Sequence, residues 1–296
     1  MRVGEFSPFL CGVLEAAREI APKLLAREHA LLERHTQGAG GDISIGADLL
    51  CEAIFVKHLS HIAHIDSEES GLIPAGSQAD KKVDSSSVDS ACAPFAHATP
   101  ALPTIVLDPL DGSDNYLSGI PYYGASLALC DSAGQVQEAA VINYCSGEVF
   151  YDCVQILDSA PESNSAPNTK SSPQATLNFT TLKLHFPTLT PLPLAHTSPK
   201  CGIFEKAYSN PTLAAKLRDR HCKFRSLGAS ALSLAYALEH GFFLFGGQIR
   251  RYDALAGLFL CRNLHILEHG DFLLVSQNKQ VFGMIGQILE QRLENH

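Results

Sequence analysis

Apolar residues recur at helical spacing in several segments, the first of them close to the amino terminus. Ser7 followed by Pro8 is typical of a helix start, because Ser caps the first turn and Pro fits within it. The apolar positions that follow are Leu10, Val13, Leu14, Ala17, Ala21, Leu24 and Leu25. This spacing predicts an amphipathic helix. The same criterion predicts helices beginning near Leu49 and over residues 211–220, 229–238, 253–260 and 281–293.

Short apolar runs bounded by turn residues predict strands between these helices. Residues 62–65, 104–107, 222–225 and 242–245 form compact runs of this kind. Three longer runs, 123–130, 138–144 and 148–153, follow one another across short turns and predict an antiparallel meander. In the last third of the chain helices and strands alternate, so the pattern as a whole predicts a mixed α/β (α+β) fold.

Two stretches lack periodicity and divide this pattern. Residues 71–103 are rich in Ser, Ala, Asp and Pro, and we expect an inserted surface loop there. Residues 159–174 have a similar composition and mark a boundary between halves. We therefore expect an N-terminal α+β half over 1–158, a low-complexity linker over 159–190 and a C-terminal α/β half over 191–296.

Composition narrows the possible partners and the cellular location. The chain has 22 basic and 31 acidic residues in 296, a net charge of −9, which argues against a nucleic-acid-binding surface. No apolar run approaches the ~18 residues of a membrane span, and no signal-peptide pattern opens the chain, so we expect a soluble cytoplasmic protein without a membrane partner. Nine cysteines without a CxxC motif argue against a disulfide framework or a zinc site.

Histidines at three-residue intervals are a possible but weak metal signal. His58, His61 and His64 lie at the end of a predicted helix without an evident carboxylate partner. We expect these side chains to have an ordinary structural or surface role.

The segment Asp108-Pro-Leu-Asp-Gly-Ser carries the strongest chemical signal. Two carboxylates on a tight turn can converge on one hard cation, and the Leu110 carbonyl can join them, which favours Mg²⁺ or Mn²⁺ over zinc. Gly112 allows the backbone to approach a ligand. If Ser113 begins a helical turn, the amides of Gly112, Ser113 and Asp114 point at an anion, so a metal site and a phosphate site would share this loop.

Other acidic residues are ambiguous when taken singly. Glu68 and Glu69 end a predicted strand, where an acidic pair is most often a solvated turn. Asp253 begins a predicted helix, where an acid commonly stabilises the helix dipole. Their significance rests on their order along the chain together with the Asp108 segment.

The chain resembles the inositol monophosphatase family of Mg²⁺-dependent, lithium-sensitive phosphatases through four motifs in the family order. These are Asp42-x5-Asp48, Glu68-Glu69-Ser70, Asp108-Pro-Leu-Asp-Gly-Ser and Tyr252-Asp-Ala-Leu-Ala-Gly. The resemblance implies a layered αβαβα sandwich of the inositol monophosphatase and fructose-1,6-bisphosphatase type. It also implies a homodimer that binds two or three Mg²⁺ ions, or Mn²⁺, and acts on a small phosphorylated metabolite.

The resemblance also assigns roles to residues. Glu68, Asp108 and the Leu110 carbonyl would hold one metal, and Asp108, Asp111 and Asp253 a second, with Glu68 near a weaker third site. Asp48 would pair with the Ser113 hydroxyl to orient and deprotonate the attacking water. Glu68 would take part in catalysis as well as in metal binding. The family more often carries Thr at the position of Ser113, and Ser keeps the hydroxyl.

Substrate selection in the family involves the loop that matches Gly228, Ala229 and Ser230 here. Inositol-specific members carry a Glu where this chain has Gly246, which argues against inositol phosphate as the substrate. Arg250, with Arg251, could bind a second anionic group or could simply face solvent.

Hydrolysis of a small phosphate monoester of the inositol or sugar phosphate type is therefore the expected function. The alternatives are a 3′-phosphoadenosine 5′-phosphate or fructose 1,6-bisphosphate phosphatase, and a non-catalytic, metal-bound regulatory or scaffold protein.

Overall fold

A computed structural model describes residues 6–77, 102–154, 181–194 and 201–293. The α-helices of this part are α1 (Pro8–Ala26), α2 (Gly46–Leu59), α3 (Ser113–Ser118), α4 (Pro211–Asp219), α5 (Ser230–Ala235), α6 (Arg251–Leu260) and α7 (Lys279–Leu293). Short 3₁₀ turns occur at His29–Leu32, Ala207–Ser209 and Tyr236–Leu238. Among the described residues, every helix is too short or too polar to span a lipid bilayer.

The strands in the described ranges are β1 (Arg34–Gln37), β2 (Ile43–Ile45), β3 (His64–Ser67), β4 (Gly71–Ile73), β5 (Thr104–Asp111), β6 (Gly124–Cys130), β7 (Val136–Asn143), β8 (Glu148–Cys153), β9 (Leu182–His185), β10 (Thr190–Leu192), β11 (Gly202–Glu205), β12 (Phe224–Arg225), β13 (Phe243–Gly246), β14 (His265–His269) and β15 (Phe272–Ser276). β1 and β2 form a separate antiparallel pair.

Two larger sheets contain the remaining strands. The eight-stranded sheet has the order β10-β9-β8-β7-β6-β5-β3-β4, and the five-stranded sheet has the order β12-β11-β13-β15-β14. The predicted meander is confirmed, since β6, β7 and β8 pair antiparallel in sequence. β3 and β5 run parallel, so the carboxyl ends of both strands lie at the same edge of the larger sheet.

Alternating side chains of each sheet join different hydrophobic layers. In β6, Leu127 packs in the cluster that contains α1 and α2, whereas its neighbour Ala128 packs in the cluster that contains α5 and α6. In β13, Phe243 belongs to that same middle cluster, and Leu244 packs with α4 and α7. This period of two produces five layers, helix, sheet, helix, sheet, helix, and confirms the predicted sandwich.

The structure differs from the sequence expectations in the regions assigned to loops and linker. Residues 71–73 form the edge strand β4 rather than part of a loop, and residues 78–101 of that predicted insert lie outside the described residues. Within the predicted linker, residues 159–174 also lie outside them. Residues 182–192 of the same region contain β9 and β10, which extend the eight-stranded sheet.

Two smaller expectations also need correction. The predicted helix over 229–238 ends as an α-helix at Ala235 and continues as a 3₁₀ turn. His58 has carboxylate partners after all, because its ring nitrogens lie 3.3 Å from Glu15 Oε2 and 2.9 Å from Glu19 Oε2. These contacts join α1 to α2 and satisfy the imidazole within the helical layer.

Candidate metal and phosphate site

The acidic segment that the sequence predicts as a loop is a strand end with a bulge. β5 continues through Asp111, and its pairing with β6 shifts between Asp108, opposite Ser126, and Asp111, opposite Gly124. Between these two pairs β5 advances by three residues and β6 by only two, and this extra residue on one strand is the pattern of a β-bulge. Pro109 lies in the bulge, where its missing N–H disturbs no regular ladder bond. The bulge allows both aspartates to line the same cavity.

Three carboxylates from different elements meet beside this bulge. Glu68 directly follows β3, Asp108 belongs to β5, and Asp253 lies in the first turn of α6. One oxygen from each lies within 4.8 Å of the others, and all three residues are buried. They form the one such group of potential metal ligands that the described ranges contain. The parallel pairing of β3 and β5 brings the first two together, and α6 adds the third.

Contacts at the start of α6 hold Asp253 against the larger sheet. The Asp66 carboxylate on β3 accepts hydrogen bonds from Arg251 Nη1 at 2.8 Å and Tyr252 Oη at 3.1 Å. Ser126 Oγ on β6 donates to the Tyr252 carbonyl at 3.1 Å. Arg251 is therefore engaged in positioning the helix and does not simply face solvent.

The carboxylates border a small cavity of about 50 Å³. Its lining joins both sheet ends, the β1–β2 segment and the turn before α6: Asp42, Ile43, Asp48, Glu68, Glu69, Asp108, Leu110, Asp111, Gly112, Ser113 and Arg250. Every residue of the Asp108–Ser113 motif except Pro109 thus reaches this cavity. Asp114, by contrast, is exposed and is not part of the lining.

Burial makes the ionised carboxylates costly. Burial, reinforced by the charge of Glu68, raises the pKa of Asp108 well above its usual range, and burial together with Asp253 does the same for Asp111. Burial raises the pKa of Glu68 to about 7, although Arg250 opposes the shift. A divalent cation favours the ionised form of each of these groups. The all-oxygen donor set and its close spacing fit a hard cation such as Mg²⁺ or Mn²⁺.

Arg250 supplies a positive charge inside this acidic cluster. Its Nε donates to Asp253 Oδ2 at 3.0 Å, and its Nη1 donates to Asp42 Oδ2 at 2.7 Å and to Glu68. Burial opposes the charge of Arg250, but the Asp253 and Glu68 carboxylates outweigh this effect and raise its pKa. The guanidinium therefore contacts two of the three carboxylates that could bind a metal.

Asp48 and Ser113, expected to act as a pair, line the same cavity. Asp48 lies near the start of α2, where its Oδ2 accepts a 2.6 Å hydrogen bond from the Ile45 N–H. Within the described ranges no hydrogen bond joins Asp48 to Ser113. Burial, with the charges of Glu69 and Glu68 also contributing, raises the pKa of Asp48 to about 8.

Position 112 requires glycine because its backbone is left-handed and because neighbouring atoms leave no room for a Cβ. Its φ of +88° lies in the left-handed region that favours glycine, and a Cβ here would lie 2.9 Å from Ala229 Cβ and 3.1 Å from the Tyr122 carbonyl oxygen. The loop of Gly228, Ala229 and Ser230 thus packs on the segment that begins α3. None of these three residues borders the carboxylate cavity itself.

Several residues that contact this region escaped the sequence analysis as individual candidates. Asp42 and Glu69 line the cavity, and Asp111 Oδ2 accepts a 2.7 Å hydrogen bond from the Leu232 N–H of α5. Glu205, at the end of β11, is 2% exposed and binds the loop that precedes α5. Asp42 and Glu69 belong to recognised motifs, whereas no sequence signal indicated Glu205.

Comparison with known proteins gives one family match. The profile of the inositol monophosphatase family matches residues 7–265, most of the chain. A comparison with curated proteins finds no significant match.

Solved structures share the fold over nearly its full length. The extragenic suppressor protein suhB of Bartonella henselae has a TM-score of 0.62 at 17% identity, covering 96% of this chain and 98% of that one. The Thermotoga maritima IMPase has a TM-score of 0.61 at 16% identity, with coverage of 96% and 99%. Holo fructose-1,6-bisphosphatase of Leishmania major has a TM-score of 0.65 at 12% identity, with coverage of 98% and 96%. At such identities the likeness is one of fold.

Proposed function

Because the chain belongs to the inositol monophosphatase family, we propose that it hydrolyses small phosphate monoesters with the help of divalent metal ions. The observation that carries this proposal is the convergence of the Glu68, Asp108 and Asp253 carboxylates within 4.8 Å. Family membership supports a phosphatase, and the buried oxygen cluster supports the metal requirement. Mg²⁺ is the proposed ion, with Mn²⁺ as a substitute and two or three ions in each site.

The metal ligands in this proposal are Glu68, Asp108, Asp111, Asp253 and the Leu110 carbonyl. Bound divalent ions would neutralise the phosphate dianion, lower the pKa of the attacking water and stabilise the leaving alkoxide. The Asp108 carboxylate would contribute to the holding of both ions. The bulge in β5 supports this role because it presents Asp108, Leu110 and Asp111 to one cavity.

The chain's own groups bind the phosphate and move the proton. The backbone amides of Gly112, Ser113 and Asp114 face the phosphate oxygens, which needs the close approach that glycine permits. The Ser113 hydroxyl holds the attacking water, and the Asp48 carboxylate accepts the proton through that hydroxyl. Their location on one cavity supports this pair.

Gly246 disfavours inositol 1-phosphate as the best substrate. It ends β13, and a Cβ there would lie 2.3 Å from Asn210 Nδ2, so the position has no room for an acidic side chain. Without that acceptor, recognition of ring hydroxyls loses about one to two decades in kcat/KM. The loop of Gly228, Ala229 and Ser230 is left to bind the sugar.

We further propose that the preferred substrate carries a second anionic group. A cleft of about 390 Å³ is lined by Ala39, Gly40 and residues 248–252, and it shares Arg250 with the carboxylate cavity. Cations on Glu68 and Asp253 would release the Arg250 guanidinium to this cleft. Bisphosphates and phosphonucleotides such as 3′-phosphoadenosine 5′-phosphate are therefore the second candidate substrates.

Family resemblance adds a homodimer, a cytoplasmic location and inhibition by lithium to the proposal. A regulatory or scaffold protein that binds metal without catalysis is the competing possibility from another class. It would keep the carboxylates and the fold but release no phosphate.

Phosphate release from a small panel tests the proposal. The panel contains inositol 1-phosphate, fructose 1,6-bisphosphate and 3′-phosphoadenosine 5′-phosphate, each with Mg²⁺ or with excess chelator, and lithium is added to the active reactions. We expect Mg²⁺-dependent release that is suppressed by lithium, with a higher kcat/KM for the substrates that carry two anionic groups. Release in excess chelator would contradict the metal requirement, and a preference for the inositol ester would contradict the second-anion proposal.

A further inference from the structure

Glu205 is a buried carboxylate whose hydrogen bonds all reach one loop and the helix after it. Its Oε2 accepts from the Gly228 N–H at 3.0 Å and from Ser226 Oγ at 3.3 Å. Its Oε1 accepts from the Leu227 N–H at 3.2 Å and from Ser233 Oγ at 2.6 Å. Both oxygens therefore act on residues 226–228 and on the first turns of α5.

No cation balances this carboxylate within the described part of the chain. Glu205 is 2% exposed, and each of its four partners is a neutral N–H or O–H donor. The Leu227 and Gly228 N–H groups reach different oxygens, so an amide in the same position would accept from one of them and turn its own N–H toward the other.

The loop that Glu205 binds lies directly on the segment expected to receive phosphate. Asn115 Nδ2, in α3, donates to the Leu227 carbonyl at 2.7 Å and to the Tyr122 carbonyl at 2.8 Å. Ala229 Cβ lies 2.9 Å from the position that a Cβ on Gly112 would occupy. Contacts thus run from Glu205 through residues 227–229 to both ends of the Gly112–Asn115 segment.

We propose that Glu205 is a positioning residue for the reaction, holding the 226–229 loop at a fixed separation from the Gly112–Asn115 segment. This inference rests on the proposed function, in which Gly112 faces the phosphate and Gly228 to Ser230 face the rest of the substrate. The packing of Ala229 against Gly112 and the Asn115–Leu227 hydrogen bond keep this separation only while the loop is held. Glu205 does not touch substrate or metal and acts through the loop backbone.

The test compares Glu205→Gln with Asp152→Asn in the full chain. Asp152 is a matched control because it is a buried carboxylate with an ion pair to Arg262, and it lies on β8, three strands away from β5. Steady-state kinetics with Mg²⁺ use the most active substrate of the panel. We expect Glu205→Gln to raise KM about tenfold and to lower kcat by a smaller factor, because Ser113 lies in the loosened segment. Asp152→Asn should lower stability without raising KM.

Amide hydrogen exchange supplies a readout that needs no activity. We expect Glu205→Gln to speed exchange in peptides covering 226–232 and 112–118, and Asp152→Asn to leave both unchanged. If Glu205→Gln does not fold, Ser226→Ala removes one donor at an exposed position and should speed exchange in the same two peptides by a smaller factor.

Two outcomes overturn the positioning role. Unchanged exchange over 112–118 would show that the loop does not control this segment. Faster exchange with an unchanged KM in an active enzyme would show that Glu205 serves stability alone. A wild-type protein without phosphatase activity would instead refute the proposed function, and the exchange result would still decide the coupling.

Discussion

Arg250 competes with any cation for the same carboxylate oxygens. Its guanidinium donates to Glu68 and Asp253, two of the three buried carboxylates that converge within 4.8 Å. A divalent ion on these oxygens must displace it and also experiences its positive charge. Both effects lower metal affinity, so Arg250 partly offsets the attraction that the buried acids exert on a cation.

Replacing Arg250 should therefore tighten metal binding. We expect Arg250→Gln to lower the Kd for Mn²⁺ by about tenfold. The effect is no larger because the Arg250 side chain is partly exposed and solvent screens its charge. Arg218→Gln is the control, because that arginine is exposed and pairs with Asp219 at 3.1 Å, away from the cluster. Calorimetric titration of Mn²⁺ into the three proteins makes the comparison. Equal affinities would show that the guanidinium and the cation do not share ligands.

The buried Asp48 carboxyl should make the stability of the folded protein depend on pH. Burial, more than neighbouring charges, raises its pKa in the folded protein to about 8, against about 3.9 in an unfolded chain. A raised folded pKa means that the contribution of this group to stability is complete below about pH 4 and is lost as the pH rises through about 8. Asn at this position stays neutral throughout.

The Tm of Asp48→Asn relative to wild type should therefore rise steadily between about pH 4 and pH 8 in the presence of chelator. Asp219→Asn, an exposed change at the end of α4, is the control. Its Tm difference from wild type should not depend on pH over this range. Thermal unfolding at several pH values measures both variants. A constant difference for Asp48→Asn would mean that its carboxyl titrates normally in the folded protein.

The acids of the site are visible in the sequence because each occupies a recognisable local position. Glu68 follows a strand, Asp108 and Asp111 flank a Pro-containing strand end, and Asp253 begins a helix. Glu205 and the contacts of Arg250 are not visible in this way. The partners of Glu205 lie 21 to 28 residues further along the chain, and a pairing at that distance depends on the packing of β11 against the loop before α5.

At the scale of elements, α3 has a glycine with positive φ at each end. Gly112 precedes it with φ +88° and close neighbours, whereas Gly119 follows it with φ +73° and no heavy atom within 4 Å of the position that a Cβ would occupy. Alanine in the left-handed region costs about 1–2 kcal/mol. A clash with a packed backbone adds about 1–3 kcal/mol.

Gly119→Ala should therefore lower the free energy of unfolding by about 1–2 kcal/mol, and Gly112→Ala by about 2–5 kcal/mol. Urea denaturation measures both. Gly112→Ala should also abolish most phosphate release, because Ala229 and the Tyr122 carbonyl must move away from the segment. Equal losses of stability in the two variants would show that the contact with Ala229 does not constrain this turn.

Elements with a strong local pattern were predictable, and several short strands were not. α1, α6 and the β6–β8 meander have long periodic runs, and the structure has each of them. β9 and β10 follow a low-complexity stretch, and β14 and β15 form a short hairpin whose first strand is largely exposed. Short strands gain their stability from pairing with a neighbour, which the sequence of the segment itself does not reveal.

At the scale of the whole molecule, the site lies where two layers meet. Glu68 and Asp108 come from the eight-stranded sheet, Asp253 comes from α6, and α5 donates to Asp111. The layered order explains why residues far apart in the chain share one cavity. Because the ligands belong to different layers, a bound cation should stabilise the packing of α6 on the sheet as well as bind substrate.

The dependence of phosphate release on Mg²⁺, in wild type and in Asp253→Asn, tests whether the buried carboxylates hold a catalytic metal ion. Asp219→Asn serves as the control for loss of one acidic charge, since Asp219 is exposed and pairs with Arg218. We expect activity that rises with Mg²⁺ and disappears in chelator, a kcat lowered about 100-fold or more in folded Asp253→Asn, and no change in Asp219→Asn. Near-normal turnover of folded Asp253→Asn at limiting Mg²⁺ would contradict this metal role.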